Sequence, residues 1–248
     1  MVAKVVSNSA RLVFIRDRYI DAVIGKEICP VVTSVPYTNN PLAVVSDHFF
    51  GRATKTLDAI CVLCECGFAE DAFILGRTIF ELGAYLKTIA LPDSVQERQT
   101  RATSFIYDRD HRQRAERLKR WQTLKAQGKW LQFIAPIEAQ NPDLQTVEEP
   151  PENFVPLKNF QAMAIELGEP WECWYHFLYA SLSQLVHPSG SGSPYVRREL
   201  ERDEEISQAL NISVTMHYYL TDAVLTLLNL EKYKPSLDQC MKNFLCAG

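Results

Sequence analysis

Residues 69 to 91 read AEDAFILGRTIFELGAYLKTIAL and predict a helix that is apolar around most of its circumference. The apolar residues recur at alternating intervals of three and four, which is the spacing of one helix face. They are Ala72, Leu75, Ile79, Leu82, Leu86 and Ile89, with Phe73, Phe80 and Ala84 in a second stripe beside them. A helix of this kind must be largely buried, so it predicts the centre of a helical core.

The same helix carries Arg77, Glu81 and Tyr85 one turn apart along its remaining face. A charged side chain that faces a core is costly unless it is paired and hydrogen-bonded, and residues four apart on a helix can pair. We therefore expect Arg77 and Glu81 to be mostly buried and hydrogen-bonded to each other or to a second polar group. We also expect Glu81→Ala to destabilise the protein strongly, because Arg77 would be left unpaired.

The best candidate for that second group is YASLSQLVHPSG, residues 179 to 190, where Tyr179, Ser183 and His187 also lie four apart. His187 is the strongest acid/base candidate because it ends a helix, where the dipole favours the imidazolium form. Two interpretations stay open. The residues either form a buried hydrogen-bond network that fixes the packing of two helices, or they form a ligand or catalytic site.

The rest of the chain predicts an all-α fold, a single bundle of about eight helices. No segment has strand-like alternation of useful length, and no repeat of solenoid period is present. We expect core helices within 41–91 and 156–231, a long basic helix over 93–127 and a loop over 141–156, all in one domain, 1–248. A first helix, about Ser9 to Lys26, should stop before ICPVVTSVPYTNNP, because three prolines interrupt it.

The composition is typical of a globular protein, with 47% hydrophobic and 23% charged residues in 248. No signal peptide is evident, and the long apolar segment 206–230 is interleaved with polar residues, which favours a buried helix over a membrane span. We therefore expect a cytoplasmic protein with no membrane partner. The seven cysteines resemble small buried hydrophobes, and Cys61, Cys64 and Cys66 lack a second ligand pair, so neither a metal site nor a cofactor is expected.

Positive charge is concentrated in residues 97–129, which hold ten Lys or Arg against four Asp or Glu, while the whole chain has a net charge of −4. This segment could follow a nucleic-acid backbone, and Phe105, Tyr107 and Trp121 could stack on bases. The alternative is a solvated face whose charges pair locally. The candidate nucleic-acid-binding residues are Arg109, Arg112, Arg114, Arg117 and Arg120.

The pattern R-x-x-x-E at Arg77 and Glu81, followed by Y-x-x-x-S-x-x-x-H-P at Tyr179, Ser183 and His187 with Pro188, resembles a known family. That family is the uncharacterised prokaryotic helical family called domain of unknown function 5677, and the similarity covers roughly 42–219. The chain more distantly resembles the HEPN superfamily, which includes metal-independent endoribonucleases and non-catalytic binding modules. The ribonuclease members carry an arginine four to six residues before a histidine, whereas here Ser183 occupies the nearest equivalent position.

Two functions follow from the resemblance and the residues. The first is a regulatory, non-catalytic helical module in stress or phage defence that acts through contact with protein or nucleic acid. The alternative is a metal-independent endoribonuclease in which His187 is the general acid/base and Arg77 stabilises a phosphate. RNA, a protein partner and a second copy of the chain all stay open as partners.

Overall fold

The computed structural model describes residues 7–109, 113–128, 136, 154–155, 158–179 and 199–246. The part of the chain within these ranges contains helices and no β-strand, so the all-α prediction is confirmed. The chain divides into two compact units, residues 1–93 with 159–248, and residues 94–158. The expectation of one domain stays a prediction.

The helices follow one another along the chain, with short connections between several of them. The first unit begins with α1 (Asn8–Val13), a helix of wider turn (Phe14–Ile28), α2 (Cys29–Thr33), α3 (Pro41–Glu65) and α4 (Ala69–Ala90). The second unit contains α5 (Val95–Tyr107) and α6 (Gln113–Ala126). The first unit then resumes with α7 (Phe160–Leu167), α8 (Trp171–Trp174) continued by a wider turn (Tyr175–Tyr179), α9 (Glu199–Leu227), a short 3₁₀ turn (Glu231–Tyr233) and α10 (Lys234–Cys246).

Helices α3 and α4 form an antiparallel pair joined at Gly67. Gly67 has a φ of +79°, a backbone conformation that glycine adopts without steric penalty. Its N–H donates to the Cys64 carbonyl at 3.1 Å, and the Phe68 N–H donates to the Leu63 carbonyl at 2.8 Å. These two bonds satisfy carbonyls at the end of α3, where the helix stops.

Helix α4 also packs closely against α9 and against α8, and one of its glycines permits each approach. A Cβ atom at Gly76 would lie 2.9 Å from the Ser213 hydroxyl oxygen, and one at Gly83 would lie 2.9 Å from the Trp171 ring. Further along, the Lys87 ammonium donates to the Asp222 carboxylate at 2.7 Å. Because contacts advance along both helices together, α4 and α9 run in the same direction. The predicted burial of α4 is confirmed, since ten of its residues are buried.

The structure corrects the expected end of the first helix. The helical path continues through Pro30 to Thr33, although the prolines of ICPVVTSVPYTNNP predicted a stop. Pro30 is the second residue of α2, at the start of a new α-helical segment, where a missing N–H removes no necessary hydrogen bond. The helix of wider turn that precedes it changes the hydrogen-bonding register, because the Cys29 N–H donates to the Ile24 carbonyl, five residues back.

The basic segment is helical in both of its described parts, α5 and α6. Ser94 caps α5, because its hydroxyl accepts from the Glu97 N–H at 3.4 Å. Asp108, at the end of α5, is buried. Residues 110–112 and the predicted loop at 141–156, apart from 154–155, lie outside the described residues.

Candidate functional site

Arg77 and Glu81 form the predicted ion pair on α4. The Arg77 Nε donates to Glu81 Oε1 at 3.0 Å, as the four-residue spacing predicts. The two side chains are 22% and 34% exposed, so the pair is partly buried and keeps access to solvent. The predicted pairing is confirmed, but the burial is shallower than expected for residues on a largely apolar helix.

Tyr179 provides the second polar group that meets Arg77. The Arg77 Nη2 donates to the Tyr179 hydroxyl at 2.6 Å, and the Arg77 Cζ lies 4.4 Å from the centre of the Tyr179 ring. The hydroxyl and the ring of one tyrosine therefore both contact the same guanidinium. Burial raises the pKa of the Tyr179 hydroxyl, and the nearby Glu81 carboxylate raises it further. The tyrosine stays neutral and serves as a hydrogen-bond acceptor.

An aromatic cluster holds Tyr179 in this position. Phe160 lies 4.6 Å from Tyr179 between ring centres, and Tyr175 stacks on Tyr179 at 5.3 Å. Phe80, which is buried on α4, stacks on Trp171 at 5.4 Å. Aromatic pairs of this kind add stability beyond the area that they bury. The cluster therefore fixes one side of the Arg77 site, and the i, i+4 ion pair fixes the other.

The arrangement neutralises the Arg77 charge but does not use all of its donors. Among the described residues, Glu81 and Tyr179 are the hydrogen-bond partners of the guanidinium, which has further N–H groups available. The site can thus act as a packing network that joins α4 to the turn at 175–179, and it can also present donors to an anion. Both interpretations from the sequence stay open on this geometry.

The other two predicted members of the cluster, Ser183 and His187, lie outside the described residues. The structure therefore brings together Arg77, Glu81 and Tyr179 and leaves the remainder of the cluster a prediction. Across the ranges that the structure describes, no group of His, Cys, Asp or Glu could hold a metal ion. Burial raises the pKa of the Cys61 and Cys64 thiols to about 12, so neither is a reactive thiolate at neutral pH.

The candidate nucleic-acid-binding residues are only partly described. Arg120 is exposed on α6, Arg109 is partly exposed, and Arg112 lies outside the described residues. Arg114 and Arg117 belong to α6, but their side chains are not described.

Two of the aromatic residues proposed to stack on bases take part in packing within the second unit. Phe105 is buried, and the Tyr107 ring, which is half-buried, packs edge to face against Phe154 at 5.2 Å between ring centres. The burial of Phe105 argues against base stacking by that ring, and stacking by Tyr107 stays a prediction. Trp121 lies on α6, with a side chain that is not described.

A second polar cluster, centred on His217 of α9, was missed by sequence reasoning. His217 has no exposed surface, and the Tyr19 hydroxyl lies 3.0 Å from its Nδ1 while the Thr54 hydroxyl lies 3.0 Å from its Nε2. The Thr54 hydroxyl donates to the Phe50 carbonyl, so it accepts from Nε2–H, and Nδ1 accepts from Tyr19. Burial lowers the pKa of His217 from 6.5 to about 3, so the ring is neutral at physiological pH.

A weak signal for this cluster was present in the sequence. Ser213, His217 and Thr221 lie four residues apart on a helix that is otherwise strongly apolar, which is the pattern that drew attention to Arg77 and Glu81. The Thr221 hydroxyl also lies 3.3 Å from the His217 Nδ1, but it donates to the His217 carbonyl, so Tyr19 and Thr54 are the groups that satisfy the ring.

None of the helices in the described part of the chain has the length and apolar character needed to cross a bilayer. Comparison with known proteins finds no match among curated proteins and none among solved structures. The profile of a family described as "Family of unknown function (DUF5677)" matches residues 44–205, more than half of the chain, a range that includes Arg77, Glu81 and Tyr179. The chain therefore belongs to the DUF5677 family.

Proposed function

We propose that this chain is a non-catalytic module that contacts RNA through α6 and acts as a regulatory component in stress or phage defence. The observation that carries the proposal is the charge of this helix. Residues 113–126 hold five Lys or Arg and one Glu, and the Lys119 and Arg120 side chains are exposed. Within the described residues, neither Lys119 nor Arg120 has an ion-pair partner. The alternative of local charge pairing is therefore less favoured for these two.

The charge distribution supports a contact that is confined to this segment. Residues 97–129 have a local balance of +6, whereas the complete chain carries −4, so the remainder is strongly acidic. A polyanion is attracted to the basic segment and repelled by the acidic remainder. Each phosphate that a lysine or arginine neutralises releases counterions, so binding of this type needs no base-specific contact.

The Arg77 cluster has a supporting role in this proposal. Its positive charge is matched by Glu81 on the same helix, and Tyr179 fixes the orientation of the guanidinium. A paired arginine of this kind joins two helices without any chemical reaction. In this proposal the second unit supplies the charged surface for a partner, and the Arg77 cluster is a packing contact of the first unit.

The test is a titration of a fluorescent single-stranded RNA of mixed sequence with the full chain, followed by anisotropy between 50 and 200 mM salt. The affinity should fall with salt, with a logarithmic slope of about −0.7 for each phosphate contact. The variant Lys119→Glu/Arg120→Glu should lose most of the binding. The matched control is Arg18→Glu/Lys26→Glu, which makes the same change in net charge at exposed residues of the first unit. Absence of binding at 50 mM salt, or equal losses in both variants, would contradict the proposal.

A second candidate is a metal-independent ribonuclease with His187 as general acid/base and Arg77 as the phosphate-binding group. The observation that favours it is that Arg77 is 22% exposed and retains donors beyond those used by Glu81 and Tyr179. Mixed RNA should then be cleaved in the presence of EDTA by the wild type and not by His187→Ala. His187→Ala should also leave the melting temperature nearly unchanged. RNA that binds and stays intact distinguishes the module from the nuclease.

A further inference from the structure

Three glycines lie inside the helices α3 and α4, and they differ in what surrounds them. A Cβ atom at Gly76 or Gly83 would approach a side chain of a packed neighbour to 2.9 Å, so close helix packing accounts for both. A Cβ atom at Gly51 would meet nothing within 4 Å. The missing side chain at Gly51 therefore leaves open space, whereas those at Gly76 and Gly83 leave space that a neighbour fills.

The fold gives no reason for a glycine at position 51. Glycine destabilises a helix interior relative to alanine because it loses more backbone freedom on folding. Gly51 lies in the middle of α3, and it is not among the residues with positive φ. Neither packing nor backbone conformation requires it. Its effect on the molecule is to deepen a hollow on the surface of α3.

This hollow has a volume of about 490 Å³, a size typical of sites for small molecules. It is lined by Asp47, His48, Gly51, Arg52, Lys55, Thr56, Ala59 and Leu75. Gly51, Ala59 and Leu75 give it an apolar floor. The polar residues are contributed by α3 alone, at intervals that place them along one side of that helix.

The hollow carries unpaired positive charge. Arg52 and Lys55 are exposed, and neither has an ion-pair partner among the described residues. Burial and the nearby Asp47 carboxylate raise the pKa of Tyr37, and the His48 ring packs against Phe49 at 5.8 Å. The Arg52 and Lys55 side chains are therefore positive groups that an anion can contact. They are local exceptions in a protein whose net charge is negative.

We propose that this hollow binds a small organic anion, with its carboxylate or phosphate head at Arg52 and Lys55 and a short apolar body over Ala59 and Leu75. The two cations supply the attraction for the head, since planar guanidinium and ammonium groups both bind such anions. A small hydrated anion gains less from the site, because it has no apolar part to cover the floor. This site shares no residue with α6 or with the Arg77 cluster, so it does not depend on the RNA proposal.

Isothermal titration calorimetry with four probes tests the site in the full chain. Octanoate and octyl phosphate carry the anionic head and the apolar body, whereas acetate lacks the body and octylamine reverses the charge. We expect one or both octyl anions to bind, and acetate and octylamine to give no heat of binding. The stronger of the two anions identifies the head that the site takes.

Two variants locate the binding. Arg52→Glu/Lys55→Glu should lower the affinity for the octyl anion by about tenfold or more, because the charges at two exposed positions then repel the anion. Gly51→Leu should abolish binding by filling the hollow, and Gly51→Ala should raise the melting temperature because nothing opposes the new methyl group. Arg18→Glu/Lys26→Glu is the charge-matched control and should bind like the wild type. No binding of either octyl anion, equal binding of octylamine, or unchanged binding in the Arg52 and Gly51 variants would overturn the proposal.

Discussion

The two polar clusters of the first unit contain similar groups in different surroundings. Around His217, the Tyr19 and Thr54 hydroxyls satisfy the two nitrogens of a neutral ring that has no exposed surface. Around Arg77, the Glu81 carboxylate and the Tyr179 hydroxyl accept hydrogen bonds from a charged guanidinium, and about a fifth of the Arg77 side chain is exposed to solvent. One cluster has no charge and no access to solvent, and the other has both.

The difference shows how burial divides structural from functional roles among polar residues. A buried polar group is costly when its partner is lost, because no water can replace the missing hydrogen bond. A partly exposed group loses less, because water can take over. The His217 cluster should therefore control stability, and the Arg77 cluster should be available for binding with a small effect on stability.

The largest expected effect is that of His217→Ala. The substitution leaves the Tyr19 and Thr54 hydroxyls facing a cavity, so it should destabilise the protein by about 3–5 kcal/mol. Urea unfolding followed by circular dichroism measures this loss. His176→Ala is the matched control because His176 is exposed, and it should change stability by less than about 0.5 kcal/mol. Equal effects of the two variants would remove the distinction between the clusters.

The next largest expected effect is the loss of stability in acid that arises from the His217 cluster. The pKa of His217 is about 3 in the folded protein and close to 6.5 in the unfolded chain, so the unfolded chain alone gains this proton between those values. Stability is therefore fully present above pH 6.5 and falls as the pH drops, by about 1.4 kcal/mol per pH unit from this residue. Unfolding of the wild type and of His217→Gln between pH 7 and 5 measures the term. Parallel slopes in the two proteins would show that His217 does not titrate in this way.

Glu81→Ala should have a smaller effect than either. The sequence alone predicts a strong loss, but exposures of 22% and 34% reduce the expected value to about 1 kcal/mol or less. Glu97→Ala gives a comparison, since it breaks the Arg101–Glu97 pair, which has the same four-residue spacing. Chemical unfolding of both variants provides the measurement. If Glu81→Ala lost several kcal/mol of stability and Glu97→Ala did not, the Arg77 cluster would be as important for stability as the buried His217 cluster.

The smallest expected effect is that of Tyr179→Phe, about 0.5 kcal/mol. The change removes the 2.6 Å hydrogen bond from Arg77 and leaves the ring beneath the guanidinium. Tyr175→Phe is the control, because no hydrogen bond of the Tyr175 hydroxyl is found in the described residues. Thermal unfolding of the two variants compares them. A larger loss for Tyr175→Phe would contradict the role given to the Tyr179 hydroxyl.

The two clusters also differ in how far the sequence predicts them. Arg77 and Glu81 lie four residues apart, so helical spacing alone predicts their contact, and the motif at 179 supplied the tyrosine. The hydrogen bonds of His217 join residues separated by 198 and 163 positions, and no local periodicity contains that information. The all-α class was predictable for the same reason as the Arg77 pair, because it follows from the local spacing of apolar residues.

The prediction that failed at Pro30 has a different origin. The rule that proline ends a helix assumes continuous α-helical winding, in which every N–H bonds to the carbonyl four residues back. Here the preceding segment has a wider turn, and Pro30 begins a new register in which its missing N–H has no consequence. Sequence periodicity does not reveal such a change of winding, so the error could be found only in the structure.

The long-range bonds of the N-terminal segment also determine when the chain can fold. Arg11 donates to Asn211 and the Tyr19 hydroxyl contacts His217, residues 200 and 198 positions further along. A ribosome adds roughly 5–20 residues per second, so the N-terminal helices wait roughly 10–40 seconds for these partners. During that interval their apolar faces have no α9 to cover them. The segment made first therefore completes its packing only after the last quarter of the chain has been synthesised, which makes nascent chains a target for chaperones.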